Sequence, residues 1–466
     1  MDEQIRRSIG EWIDAHFEEM VAGLERLVAI PSVAVDGDAA APYGEACREV
    51  LHTFLSMAEG YGLRTENCEE RCGTVTYRPS DREIGVWCHL DVVPAGDGWL
   101  LTEPFRPVRR GGYLIGRGAD DNKGSAMGAL FVLRALEELK VPLRHGIRLC
   151  VGCDEERTMT DVVYYTQRHP AAELNIIADC GFPVCYGEKG ILELDITTKE
   201  PLRSVRALKA GLASNIMPDK AVMTLAGEAS ADVSDGRVSV ERGGGATVLR
   251  ATGVARHTAF PEGGVNALHE LFGAALRTGL LCEEDERVLR FWYSIGEDWL
   301  GTALGIAHED ELSGRTTCVD SMASLLPDGR ARLHLNIRYA ITAGAEEMLA
   351  SIRRACEEHG CALSAYRDSA PNYFPREHPV VDALTGVFRE MSGLDREPFV
   401  MGGGTYARKL PNALCFGLGG LPHEPTDLFA PGHGGAHQCD EGLHLQSLKE
   451  ALKIFAMGLL EADRVL

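Results

Sequence analysis

The sequence predicts an α/β protein, a mostly parallel sheet with helices on both faces, interrupted by an inserted α+β domain. Between Ile84 and Ala178, short apolar runs alternate with helical periods, the succession of strand, helix, strand, helix and strand that builds parallel sheets. After Lys189-Gly190 the pattern changes to residues that alternate around glycine turns, as antiparallel hairpins do. From Val380 the succession of strand and helix resumes. A chain of 466 residues exceeds what one core usually holds. The expected division is therefore 1–189 with 377–466 for one discontinuous domain and 190–376 for the insertion.

Each element has a local cause. Residues 2 to 29 place Ile5, Ile9, Trp12, Ile13, Phe17, Met20, Leu24, Leu27 and Val28 at helical spacing, and the period stops before Pro31. Gly44 to Tyr61 reads as a second helix and Arg64 to Tyr77 as a strand with turns. Ile84 to Cys88 is a short apolar run typical of a buried strand, and 97–112 is a loop rich in glycine and proline. Lys123 to Leu139 is a long buried helix, Ile147 to Cys153 a strand, Asp161 to Gln167 a helix and Asn175 to Ala178 a strand. In the insertion, Arg237 to Val254 forms hairpins around Gly243-Gly244-Gly245, while Ala267 to Leu281 and Ala345 to Glu358 are helices. Ser369 to Pro375 is a proline-bounded exit, followed by a strand at Ala413 to Phe416 and a closing helix from Leu445 to Leu460.

A net charge of −22 argues against nucleic acid or an anionic membrane as partner, since both need basic patches. No run of eighteen apolar residues exists, and the first seven residues carry acids and no apolar signal core, so a soluble, cytoplasmic protein is expected. Of the fourteen cysteines, Cys88, Cys150, Cys153 and Cys415 lie singly within apolar runs, and the set lacks zinc-knuckle spacing, which suits buried reduced thiols better than a disulfide framework.

In sheets of this kind ligands collect at the carboxyl ends of the strands. Three such ends carry metal-capable groups: His89-Leu90-Asp91, Asp154-Glu155-Glu156 and Asp179, with Asp121 in the loop between. Residues two apart on an extended chain share a face, so Asp91 can sit beside His89 and fix its tautomer, leaving the other nitrogen for a metal. Acids crowded at one sheet edge repel unless protonated or bound to cations. Dinuclear hydrolases need about two imidazoles and three carboxylates, one bridging ions roughly 3.5 Å apart, with a base for the water.

The ordered set of motifs resembles the dizinc superfamily of metallopeptidases that includes aminoacylase, carboxypeptidase G and the carnosinases, and it resembles the bacterial dipeptidase V type most. The motifs are Leu27 to Val33, His89-Leu90-Asp91, Gly116 to Gly124, Asp154-Glu155-Glu156, Asp179 to Pro183 with Gly187 to Gly190, and His437 to Glu441. The resemblance implies a catalytic domain with an inserted lid and two divalent ions, zinc foremost, with manganese or cobalt equally suited to the donors. Asp121 would bridge, His89 and Asp179 would hold one ion, and Glu156 and His437 the other. Glu155 would be the general base and Asp91 the partner of His89. Residues alone do not choose between Glu155 and Glu156, nor select His437 over His423 and His433.

In the insertion, the segment Ala255 to Ala267 resembles the lid histidine segment, with His257 stabilising the oxyanion. Asn215 and Arg338 resemble the residues that hold the substrate's backbone and carboxylate. Gly403, Gly404 and Thr405 lie in a segment that resembles the glycine loop whose backbone N–H groups would face the same carboxylate. Asn122 stands where relatives often have an acid, and Cys180 where a small residue is usual. The expected activity is hydrolysis of unblocked dipeptides by water or hydroxide bridging two metals. An N-acyl amino acid deacylase, or a silent binding protein on the same fold, are the alternatives. Leu300 to Gly314 resembles the extra lobe that replaces a partner subunit in dipeptidase V, which implies a monomer.

Overall fold

The computed structural model describes residues 3–466, so the expected helix start at Asp2 lies outside the described residues. The chain divides into two compact units. One runs to Tyr186 and takes in Tyr373–Phe399 and Thr405–Leu466; the other comprises Gly187–Asn372 and Val400–Gly404.

The first unit is built on a sheet whose strands run in the order Arg64–Cys68, Cys72–Tyr77, Gly146–Gly152, Glu83–His89, Leu174–Ile177 and Ala413–Cys415. The last four are mutually parallel, Arg64–Cys68 and Cys72–Tyr77 pair antiparallel at one edge, and past Ala413–Cys415 the sheet continues with an antiparallel pairing at Cys185. Strand alternation gives each face its own partners. Ile84, Val86 and Cys88 enter the main core with the helices Glu3–Val28, Lys123–Glu138, Pro379–Ser392 and Leu445–Val465. Trp87 points the other way, edge-on to Tyr165 of the helix Thr160–Thr166 at 5.1 Å and to Tyr406 at 5.7 Å between ring centroids. Its indole N–H donates to Asn175 Oδ1 at 2.9 Å, so the buried polar atom is satisfied. The helix Glu3–Val28 buries Ile9, Trp12, Ile13, Phe17, Met20, Leu24 and Leu27. At about 1.5–3 kcal/mol for each large side chain, that packing outweighs helix propensity in holding the element.

The second unit is an eight-stranded sheet, antiparallel throughout, in the order Val238–Gly243, Ala246–Thr252, Lys220–Ala226, Val205–Ala210, Thr317–Leu325, Ala331–Tyr339, Gly190–Thr198 and Cys361–Ser369. One face buries Leu192, Leu194, Leu333, Leu335 and Ile337 against the helices Ala267–Arg277, Glu283–Ile295 and Ala345–Glu358. Its first hairpin turns at Gly244 and Gly245, whose φ of +62° and +71° suit glycine in a tight two-residue turn.

Several boundaries differ from expectation, and the closing helix runs past the expected Leu460 to Val465. The helix expected to reach Leu281 ends at Arg277, because the Thr278 hydroxyl turns back to the Ala275 carbonyl at 2.7 Å and Gly279 takes a φ of +70°. The loop 97–112 contains the short strand Val108–Arg110, which pairs with Tyr113–Ile115, itself paired with Gly442–His444. Among the described residues no helix is long and apolar enough to cross a membrane.

Candidate metal centre

Parallel register brings the strand ends level. His89 lies opposite Gly152, and Trp87 opposite Ile177, so His89, the Asp154–Glu156 turn and Asp179 leave the sheet at one edge. Asp121 arrives from the loop preceding the helix Lys123–Glu138, and His437 from a loop in which it holds a φ of +64°.

Asp121 stands between the two imidazoles. Its Oδ1 is 3.0 Å from His89 Nε2, and its Oδ2 is 2.9 Å from His437 Nε2. His89 Nε2 is also 3.7 Å from Asp179 Oδ2, and His437 Nε2 is 3.1 Å from Glu156 Oε1. Two triads of donor atoms result, His89 with Asp121 and Asp179, and Asp121 with Glu156 and His437, each within 4.8 Å. Glu155 belongs to neither triad. It is buried, and among the described residues its Oε1 has no hydrogen-bond partner.

Asp91 does more than expected of it. The nearest acceptor for His89 Nδ1–H is the Asp91 backbone carbonyl at 3.0 Å, with the carboxylate at 3.5 Å. That contact leaves Nε2 as the lone-pair nitrogen. The Asp91 carboxylate instead accepts the backbone N–H groups of Glu155 at 3.2 Å and Glu156 at 3.0 Å. One residue thereby aims the imidazole and holds the turn that carries both glutamates.

Other supports escaped sequence reasoning, although several lie inside the quoted motifs. Arg117 and Glu441, both buried, pair at 2.6 Å. Glu441 Oε1 accepts the N–H groups of Asp120 and Asp121, each at 3.0 Å, and Arg117 donates to the His437 carbonyl at 3.3 Å. Lys123 is fully buried and donates to the Leu27 and Ile30 carbonyls at 3.0 and 2.8 Å, tying the end of the first helix to this loop. Asp161 accepts the N–H groups of Cys153 and Asp154 at 2.7 and 2.9 Å. Arg117, Lys123 and Glu441 stand among glycines and polar residues, so no local pattern in the sequence marks them as buried.

The two departures acquire a physical reading. Asn122 accepts from the His89 N–H at 3.2 Å and donates to the Ala178 carbonyl at 3.0 Å and to Asp179 Oδ1 at 2.7 Å, donations that a carboxylate could not make. Cys180 lines a cavity of about 300 Å³ with Asp120, Ser125, Asp179, Gly181 and Gly419, directly beside the donors.

Protonation tests whether the donor set fits cations. Hydrogen bonds from Asp121 and Glu156 push His437 up to about 10. Burial alone would lower His89, but its hydrogen bond to Asp121 and the charge of Asp179 outweigh this and raise it. Burial would raise Asp121, yet the two imidazoles hold it below the usual carboxylate range. Protons on the histidines thus compensate acids that divalent ions would compensate in their place, and the donors fit such ions. Burial pushes Glu155 well above the usual carboxyl range, with Asp179 and Glu156 reinforcing it against His89.

The second unit gathers its own candidates. The Thr258 N–H donates to the Asn215 carbonyl at 2.9 Å, which sets the Asn215 and His257 segments side by side. His257 Nδ1 accepts from the Ala259 N–H at 3.1 Å, so the neutral ring carries its proton on Nε2. Arg338 Nε donates to Asn336 Oδ1 at 2.9 Å, and Nη1 to the Gly402 carbonyl at 2.9 Å. A side chain at Gly402 would meet Ala259 Cβ at 2.7 Å, so the Gly402–Gly404 stretch and the His257 loop abut closely. Thr405 lies in the first unit, where its hydroxyl accepts from the Ala407 N–H at 3.1 Å and caps a short helical turn.

Fold and donor set together define a metallopeptidase, a hydrolase. The chain belongs to the peptidase family M20/M25/M40, whose family model matches residues 86–461. It is 28% identical over 468 residues to YtjP of Bacillus subtilis (strain 168), which carries a provisional dipeptidase name, covering 95% of this chain and 97% of that protein. It is 27% identical over 476 residues to the Beta-Ala-Xaa dipeptidase of Lactobacillus delbrueckii subsp. lactis, covering 97% and 98%. Among solved structures, the di-peptidase Dug1p from Saccharomyces cerevisiae shares the fold with a TM-score of 0.61 at 13% identity, over 98% of each chain.

Proposed function

We propose that this enzyme is a metal-dependent dipeptidase acting on unblocked dipeptides, with one divalent ion held by His89, Asp121 and Asp179 and a second by Asp121, Glu156 and His437. The observation that carries the reading is Asp121, with one oxygen toward each histidine. The bound ions would polarise the scissile carbonyl and acidify a water. Glu155 takes the proton of the attacking water and delivers it to the leaving amine. Its position outside both triads, with no hydrogen-bond partner for Oε1 among the described residues, supports that role over metal binding. Asp91 holds the Glu155 turn in place for it.

His257, Asn215, Arg338, Gly403, Gly404 and Thr405 are assigned to the substrate on the resemblance. The Nε2 proton of His257 supports a role as donor to the oxyanion. Zinc, manganese and cobalt all suit imidazole and carboxylate donors. The dipeptide reading draws on the names of the two sequence relatives. A monomer is proposed from the Leu300–Gly314 lobe, and a reducing, cytoplasmic setting from fourteen free cysteines.

The test is to strip the protein with a chelator, restore zinc, manganese or cobalt singly, and assay free dipeptides against N-acetyl amino acids. Turnover of free dipeptides that returns with metal is expected. Preference for the N-acetyl compounds would replace this reading with deacylation.

A further inference from the structure

On the sheet face that carries Trp87, a second set of metal-capable side chains meets at the hairpin of Arg64–Cys68 and Cys72–Tyr77. Glu66 and Cys68, two apart on an extended strand, share a face. Cys68 lies directly opposite Cys72, and one strand further on Thr74 lies opposite Cys150. His169 reaches the same place from beyond the helix Thr160–Thr166. Its ring stacks on Tyr165 at 4.2 Å between centroids, and its backbone N–H donates to the Tyr165 carbonyl at 3.0 Å. Tyr165 is itself edge-on to Trp87 at 5.1 Å, so the imidazole is held by packing, with Nε2 4.0 Å from Cys68 Sγ.

We propose that Glu66, Cys68 and His169 form a mononuclear site for a thiophilic divalent cation of the zinc class, apart from the candidate metal centre. One donor atom from each already lies within 4.8 Å of the others. Tetrahedral zinc, with bonds of about 2.3 Å to sulfur and about 2.0 Å to nitrogen, needs a sulfur-to-nitrogen separation near ~3.5 Å. Closing the gap from 4.0 Å therefore takes a rotamer adjustment and no backbone movement. Cys72, paired with Cys68 across the hairpin, stands nearby for the fourth position. Glu66 is exposed and His169 half-buried, which leaves an entry path, while Cys68 is buried. A buried cysteine is ordinarily inert. What separates this one is a thiol, an imidazole and a carboxylate from two chain segments meeting at a single point.

The consequence reaches the glutamate turn. His169 follows the helix that carries Asp161, and Asp161 accepts the N–H groups of Cys153 and Asp154 just before Glu155 and Glu156. A cation at His169 staples the far end of that helix to the hairpin. The site stands whether or not the dipeptidase reading holds.

Cobalt reports it directly, because a thiolate ligand produces a charge-transfer band in the near ultraviolet that imidazole and carboxylate donors alone do not. The full chain, reduced and loaded with cobalt, is expected to show the band and to bind one more ion than Cys68→Ser or His169→Ala. Both variants should lose the band while keeping the wild-type circular dichroism. Asp121→Ala should keep the band. Zinc and cadmium should displace it, and manganese and magnesium should not. Should either variant fail to fold, Glu66→Gln at the exposed position is expected to weaken cobalt binding by at least about tenfold. A wild-type protein without the band, or a band that survives Cys68→Ser, overturns the proposal.

Discussion

Arg117 and Glu441 form a buried ion pair at 2.6 Å across 324 positions of sequence, and between them they hold the backbone of Asp121 and of His437. Removing one member leaves the other charge buried and unpaired, which typically costs about 3–5 kcal/mol. Arg117→Met should therefore destabilise the chain by that order and lower its metal content. The double variant Arg117→Met/Glu441→Gln should lose less than the sum of the single changes. Urea unfolding with metal analysis on the same samples checks both.

Glu155→Ala should retain metal and fold yet lose at least about 100-fold in turnover, the size typical of a positioned base. Asp121→Ala should lose metal as well, because its two oxygens face both histidines. Metal analysis that finds Glu155→Ala depleted and Glu156→Ala fully loaded would exchange the roles of the two glutamates.

Asn122→Asp keeps the acceptor for the His89 N–H but turns lone pairs toward the Ala178 carbonyl and Asp179 Oδ1. The lost donations and the added charge should cost about 1–3 kcal/mol in the metal-free protein. Divalent ions offset the extra charge, so the rise in melting temperature on adding zinc should be larger in the variant than in the wild type. Equal rises would contradict this account of Asn122.

Asp320 gives a pH signature remote in sequence from the proposed metal ligands. Its Oδ1 accepts from Asn266 Nδ2 at 2.6 Å, Oδ2 is buried with no partner among the described residues, and burial pushes the carboxyl up to about 7. The unfolded carboxyl titrates near ~3.9. Between these values the folded state binds the proton and the unfolded state does not, so this group's contribution to stability falls as pH rises from about 4 to about 7. Asp320→Asn removes that titration and keeps an acceptor for Asn266. Its stability relative to wild type should rise across the window and then level off, by up to a few kcal/mol at about 1.4 kcal/mol per pKa unit. Urea midpoints measured at intervals between about pH 5 and about pH 8 test the slope.

If the enzyme works as a monomer, light scattering should return a mass near 50.6 kDa. Mixing inactive Glu155→Ala with inactive His257→Ala should then restore nothing. Recovery of activity in the mixture means that two chains share a site.

Sequence by itself determined the kinds of donor and the strands that deliver them. A short apolar run ending in His89-Leu90-Asp91, and another ending in Asp154-Glu155-Glu156, announce buried parallel strands with polar ends, because alternation and burial act over a few residues. Tertiary structure alone decided how those groups are arranged. Glu155 and Glu156 are neighbours of identical chemistry; only the approach of His437, from 281 positions away, places one in a triad and leaves the other outside it. Asp91 reads as a partner for His89, yet its carboxylate goes to two backbone N–H groups of a turn that another strand brings alongside. Most strands of the second unit were invisible as pairs for the same reason, since Gly190–Thr198 finds Ala331–Tyr339 across more than a hundred residues. Such contacts depend on register and on loops that close over long separations. No local pattern of residues encodes those distances.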